Sequence, residues 1–180
     1  MSKILLAEGA APSTPATDYL AIYATTGGAP AFINDAGTTG TLASHVSATS
    51  WTPALKFGGA STGMTYTTQI GRYARVGNLV IFEATLVLSA VGSSTGSATI
   101  TGLPINTVSA TGLVVPFPVI LHSGSTITAG NQVYATMTSN SAVINLYNHA
   151  PTAAAATLTD ANFGATTSLF IAGSYITSGY

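Results

Sequence analysis

Hydrophobic residues along this 180-residue chain recur in short alternating runs broken by glycine-rich turns. No run keeps the 3.6-residue period of a helix over ~11 positions, so no coiled-coil rod is encoded. The clearest signal is a hairpin: residues 71–76 and 79–88 flank Gly77-Asn78, a two-residue turn in which both positions tolerate positive φ. The second of these strands is long. Leu79 and Ile81 fall on one side, Val80, Phe82 and Ala84 on the other, and Leu86 and Leu88 are expected to return to the first side. Both faces are then substantially apolar, which predicts a central strand with one side in the core and the other against the N-terminal segment or a subunit. Further strands are expected at residues 97–101, 113–117, 119–121, 132–138, 143–147 and 168–175, separated by turns such as Gly92-Ser93-Ser94-Thr95-Gly96 and Asn140-Ser141. Residues 158–163 allow only a turn or 3₁₀ element, because Asn162 and Gly164 end it early. Many short strands with glycine-rich turns predict an all-β fold, an antiparallel β-sandwich or jelly-roll-like domain.

Residues 1–50 follow a different pattern. Pro12, Pro15 and Pro30 interrupt them, Gly27-Gly28 and Asp35-Ala36-Gly37 mark turns, and only 19–23 and 31–33 are strand-like. This is a short, largely irregular N-terminal arm with scope for one hairpin, which is marginal in isolation. Such a segment orders best against a partner, so it is expected to dock on another protein or to wrap threefold neighbours. Its apolar candidates for docking or assembly are Ile4, Leu5, Leu6, Tyr19, Tyr23 and Phe32. Trp51 opens the main domain, residues 51–180, and is expected to pin that junction rather than to bind ligand.

Charge narrows the function. Only Lys3, Lys56, Arg72, Arg75, Glu8, Asp18, Asp35, Glu83 and Asp160 are charged, 5% of the chain against a usual ~25%, and residues 84–159 carry none. A net charge of -1 gives little electrostatic protection against association, which fits a surface insensitive to salt and partly covered by copies of itself. Four basic residues cannot supply the phosphate neutralisation that nucleic-acid binding requires. The absence of cysteine excludes disulfides and thiolate-held metals. The apolar run 4–7 is shorter than the ~7–15 residues of a signal-peptide core, and no stretch reaches the ~18 residues that span a bilayer. No membrane partner is therefore expected, and the route outside a cell is release as part of a particle.

Candidate chemistry is sparse. His45, His122 and His149 are not at ligand spacing, and none has a carboxylate within four residues. No metal or cofactor is expected, with His45 the one weak candidate, as a ring of imidazoles on an oligomer axis. Glycoside hydrolysis needs two carboxyl groups across the scissile bond. The main domain offers only Glu83 and Asp160. Glu83 reads instead as a hairpin ion-pair partner of Arg72 or Arg75, or as a charge in a subunit contact. No phosphate-binding glycine loop is present, so a non-enzymatic protein is expected. Tyr134 and Tyr147, with Asn145 and also Asn131, Asn140 and Asn148 in the same stretch, form the candidate glycan-binding patch; the alternative is that they are core and edge tyrosines.

Two pieces, W-x-P-x-L-x-F-G-G at residues 51–59 and G-x-Y-x-R-x-G-N at 71–78, carry a resemblance, together with Gly96-Ser97-Ala98-Thr99-Ile100-Thr101-Gly102-Leu103-Pro104 and the ending Gly173-Ser174-Tyr175. Over residues 51–180 the chain resembles the C-terminal β-sandwich domains of tailed-bacteriophage fibre and head-decoration proteins, and residues 1–42 are similar to the short leaders ahead of such domains. The resemblance implies a homotrimer on the virion surface, exposed extracellularly after release from the host. Its implied partners are copies of itself, the major capsid protein or another virion protein, and host surface glycan. It supplies no catalytic residues. With no long rod ahead of the sandwich, a capsid decoration or head-spike protein anchored by residues 1–50 is favoured, and the alternative is a tail-fibre or receptor-binding module recognising host glycans.

Overall fold

The structure, a computed structural model, describes residues 8–27, 30–41 and 47–178. The fold is all-β, and the chain divides into two compact units, Met1–Val46 and Ser47–Tyr180. Of the expected contact residues, Ile4, Leu5, Leu6 and His45 lie outside the described residues.

The first unit contains β1 (Glu8–Gly9), β2 (Leu20–Thr25), β3 (Pro30–Asn34) and β4 (Thr39–Thr41), hydrogen-bonded in that order. The expected hairpin is the β2–β3 pair, with Ile22 opposite Phe32. Among the described residues there are four strands where sequence reading found two strand-like pieces. The outer two span 2 and 3 residues, too few for apolar alternation to register. After β3 the chain turns on Asn34, whose side-chain Oδ1 accepts the Thr38 N–H at 2.7 Å, while Asp35 accepts the Asp18 N–H at 3.0 Å.

The second unit contains ten strands: β5 (Thr49–Trp51), β6 (Ala54–Phe57), β7 (Thr65–Val76), β8 (Leu79–Ala90), β9 (Ala98–Thr101), β10 (Val114–Leu121), β11 (Gln132–Thr138), β12 (Ile144–His149), β13 (Ala156–Thr157) and β14 (Ser168–Ile176). They pair antiparallel along the path β5-β7-β8-β14-β10-β11-β12-β9-β6, with β13 on β12. This path curls on itself into a sandwich around one core. One side is joined by β10, whose residues 114–118 pair with β11 and whose residues 119–121 pair with β14. Sequence reading split this strand at Pro118. The structure keeps it continuous and passes it between sheets where Pro116 and Pro118 remove two ladder donors. The other side is closed by covalent connection, because the two ends of the path, β5 and β6, are separated only by Thr52-Pro53.

The hairpin of β7 and β8 closes through Gly77 and Asn78, and only Gly77 takes positive φ, at 57°. That is the pattern of a type II′ turn, which needs glycine first, rather than a turn with both positions positive. Along β8, Val80, Phe82, Ala84, Leu86 and Leu88 are all buried on one face. The expected return of Leu86 and Leu88 to the other side does not occur: strict two-residue alternation carries every even position inward. The irregularities in this pair fall further on, between Thr65 and Tyr66 and between Tyr66 and Thr68 on β7.

Two glycines are set by what lies on them. Trp51, 7% exposed, is the cross-strand partner of Gly71, and a Cβ on Gly71 would come within 2.4 Å of the indole nitrogen. The indole N–H reaches the carbonyls of Arg72 and Glu83, both at 3.3 Å. Gly173 makes room in the same way for Phe117, whose ring would lie 2.2 Å from an added Cβ. Phe117 then meets Phe82 edge-on at 5.1 Å, and Phe82 packs against Tyr175 at 6.0 Å. The remaining core comes from both sheets, with Leu55, Phe57 and Ile100 facing the β8 and β14 residues.

Gly71→Ala is expected to destabilise the chain by roughly 1–3 kcal/mol through overpacking, and Trp51→Ala by roughly 3–5 kcal/mol through the cavity it leaves. If the two residues are fitted to each other, the double variant loses clearly less than the sum in urea unfolding followed by circular dichroism. Additive losses would refute the fit.

Tyr175 is 3% exposed and donates its hydroxyl to the Ile105 carbonyl. Burial chiefly, and then the neighbouring Tyr73, raise its pKa well above the usual tyrosine value, while Arg75 opposes the rise. The folded chain therefore holds this proton at a pH where the unfolded chain releases it, so stability is intact below pH ~10 and falls as pH rises beyond it. Tyr175→Phe is expected to flatten that alkaline loss, read as unfolding midpoints from pH 8 to 11. An unchanged slope in the variant would count against the assignment.

Candidate functional site

β11 and β12 turn Ala135, Met137, Ile144 and Leu146 into the core, and on the opposite face Tyr134, Asn145 and Tyr147 are half-buried and Thr136 is buried. Tyr134 stands directly opposite Tyr147, and their half-buried rings stack at 5.4 Å with planes 17° apart. Pro118 of β10 lies opposite Tyr134 on one flank, and Thr157 of β13 lies opposite Tyr147 on the other. The adjacent row on the same face runs Pro116, Thr136, Asn145, Thr99 and Lys56. The three candidate glycan-binding residues thus share one outer sheet face. It is neutral apart from Lys56 in the β6 strand, and it presents aromatic area beside hydroxyl and amide groups.

Other members of that stretch are not brought there. Asn148 pairs with Val133, on the opposite parity of both strands. Asn140 sits in a turn at φ 51° with its N–H on the Val108 carbonyl, and Asn131 precedes β11 in a second turn. Conversely, Pro118 and Thr99 join the face by pairing from β10 and β9, which only knowledge of the register would have found, whereas Thr136 follows Tyr134 by two on β11, so alternation alone places it there, although it is buried.

The carboxylates have separate settings. Asp160 begins a 3₁₀ turn, Asp160–Asn162, and its side chain accepts the Gly96 N–H at 2.7 Å while its own N–H donates to the Gly96 carbonyl at 3.2 Å. It clamps the turn to the glycine-rich loop before β9. Glu83 is on the outer face of β8, opposite Arg72. Arg75 lies opposite Val80, on the other face, and its Nε donates to the Gly77 carbonyl at 2.7 Å, so the register separates the two arginines. Among the described residues no group of three or more His, Asp or Glu comes together to hold a metal ion. His149 is exposed opposite Gln132, and the His122 N–H is bonded to the Ser168 carbonyl at 2.9 Å.

The docking candidates of the first unit are divided. Tyr19 is exposed ahead of β2, Tyr23 shares a face with Ala31 and Ile33, and Phe32 is on the opposite face with Ile22.

No family model matches this chain, and no curated protein matches it in sequence. Among solved structures it is similar in fold to the crystal structure of the Dettilon tailspike protein (gp208), with a TM-score of 0.56 and 19% identity. The match covers 72% of this chain and 23% of the tailspike chain, so this chain spans under a quarter of that protein's length.

If the tyrosine stack is an energetic unit, Tyr134→Ala and Tyr147→Ala couple by about 0.5–1.5 kcal/mol in a double-mutant cycle on unfolding stability. A coupling of zero would leave the two rings as independent surface residues.

Proposed function

We propose that the chain is a non-enzymatic surface component of a bacteriophage virion, a trimeric spike or fibre module whose tyrosine-bearing sheet face meets host-surface glycan. The observation that carries the virion reading is the fold likeness to a tailspike over 72% of the chain. It agrees with the sequence motifs at residues 51–59 and 71–78, which describe one packed corner, Trp51 on Gly71, rather than two unrelated segments.

The tyrosine face supports attachment within that class. An aromatic body flanked by neutral hydrogen-bonding groups suits an uncharged, polyhydroxylated ligand, and tyrosine supplies contact area together with a polar tip. A face with almost no charge also keeps its affinity when salt screens electrostatic contacts. A second reading, capsid decoration or head spike, draws on the separate compactness of Met1–Val46, the property an anchoring body needs. The absence of a rod ahead of the sandwich carries no weight beside a neighbour of which the chain spans 23%.

Two measurements test the proposal. Antibody labelling of intact particles is expected to mark the tail, and labelling spread over the shell would transfer the chain to the second reading. On a glycan array the full chain is expected to bind, and Tyr134→Ala with Tyr147→Ala to weaken that binding about tenfold, or ~1.4 kcal/mol. Undiminished binding by a folded double variant would remove the tyrosine face from the reading, and turnover of host polysaccharide by the purified chain would overturn its non-enzymatic part.

A further inference from the structure

The outer face of β7, β8, β14 and the end of β10 is the apolar one. One row across it runs Ile120, Phe170, Thr85 and Ile70, and another runs Ile176, Leu79 and Val76. Ile81 stands between them, opposite Ala74 and Ser174. Exposure reaches 61% at Ile120, 56% at Ile70 and 51% at Ile81, values at which branched apolar side chains on a packed sheet remain wetted. A contiguous patch of this kind marks an interaction surface rather than the scattered apolar residues of an ordinary exterior.

We infer that this face is where a second copy of the same chain docks. This rests on the oligomeric part of the proposed function and assigns it a surface. The charge pattern selects the occupant. The face carries one cation and one anion, Arg72 and Glu83, placed side by side on neighbouring strands at its centre. A copy related by rotation sets Arg72 of one chain against Glu83 of the next and leaves no unmatched charge, whereas a uniformly charged or uniformly apolar partner leaves one or both desolvated without compensation. Hollows of ≈ 540 Å³ and ≈ 390 Å³ lie at the charged pair, both lined in part by Arg72, Glu83, Pro118 and Ala172, with Ile81 on the wall of the first and Ile70 and Ile120 on the wall of the second, so a copy seated there covers these side chains together with the pair. Net charge of -1 adds almost no repulsion between copies.

The chain has no cysteine, so Ile81→Cys introduces a single thiol at the centre of the face. At micromolar concentration a short bismaleimide is expected to convert this variant of the full chain into covalent dimers, and light scattering of the parent to give a mass above the 18.0 kDa monomer. Ile81→Arg, with circular dichroism unchanged, is expected to lower that mass to the monomer's. A monomeric parent overturns both the oligomer and the face. An oligomeric parent whose mass survives Ile81→Arg, with no covalent dimer from Ile81→Cys, overturns the face alone. That second outcome also covers the case in which the chain's own residues 1–46 occupy it.

Discussion

The contact on which the main domain depends is the Trp51 indole lying over Gly71. Strands β5 and β6 are the two ends of a nine-strand path, yet they are consecutive in the chain, so the sandwich closes only if the chain can turn the corner between them. Trp51 is the last residue before that corner. Its ring requires a residue without Cβ beneath it, and its N–H finds the carbonyls of Arg72 and Glu83 on the two strands beside it. Pro53, Leu55 and Phe57 then continue inward at every second position. The spacing W-x-P-x-L-x-F is therefore the alternation of one bent ribbon that starts in one sheet and ends in the other.

Much of this architecture was readable, for a definite reason. Where a strand is buried on one face and long enough to show period two, as in β8 and β14, the residues announce it. Where burial is imposed by a distant partner, they do not. The first half of β7, Thr-Tyr-Thr-Thr-Gln-Ile, is mostly polar and is a strand because β8 pairs along its whole length. β6 contains Lys56 and four residues in all, and it is held by β9. The misplacement of Leu86 and Leu88 came from inserting a change of face where alternation needs none. The residues there contain no glycine or other bulge signal that could have produced one.

The candidate sites divide along the same line. Tyr134 and Tyr147 are thirteen positions apart, close enough for one hairpin to bring them together, and their pairing followed from adjacent strands. The asparagines grouped with them shared only sequence neighbourhood, and parity sent Asn148 to the other face. Arg72 and Arg75 looked equivalent as partners of Glu83, but a separation of three along a strand places them on opposite sides. A one-residue register decision thus outweighed chemical similarity in each case, and it is the quantity that composition and motif cannot supply.

The scarcity of charge takes on a different meaning once these faces are separated. One outer sheet face carries tyrosine, threonine and asparagine, and the other carries isoleucine, leucine, valine and phenylalanine around a single Arg72–Glu83 pair. A soluble monomer would commonly place lysine and glutamate on both faces to oppose association. Here one face carries only Lys56 and the other only Arg72 and Glu83, and the physical consequences differ. The tyrosine face can stay hydrated through its hydroxyl and amide groups, whereas the isoleucine face gains free energy from leaving water and has a matched charge pair to set orientation. The same low charge that leaves one face with neutral hydrogen-bonding groups leaves the other without electrostatic protection against apolar contact, so the two unlike faces are two results of one compositional choice.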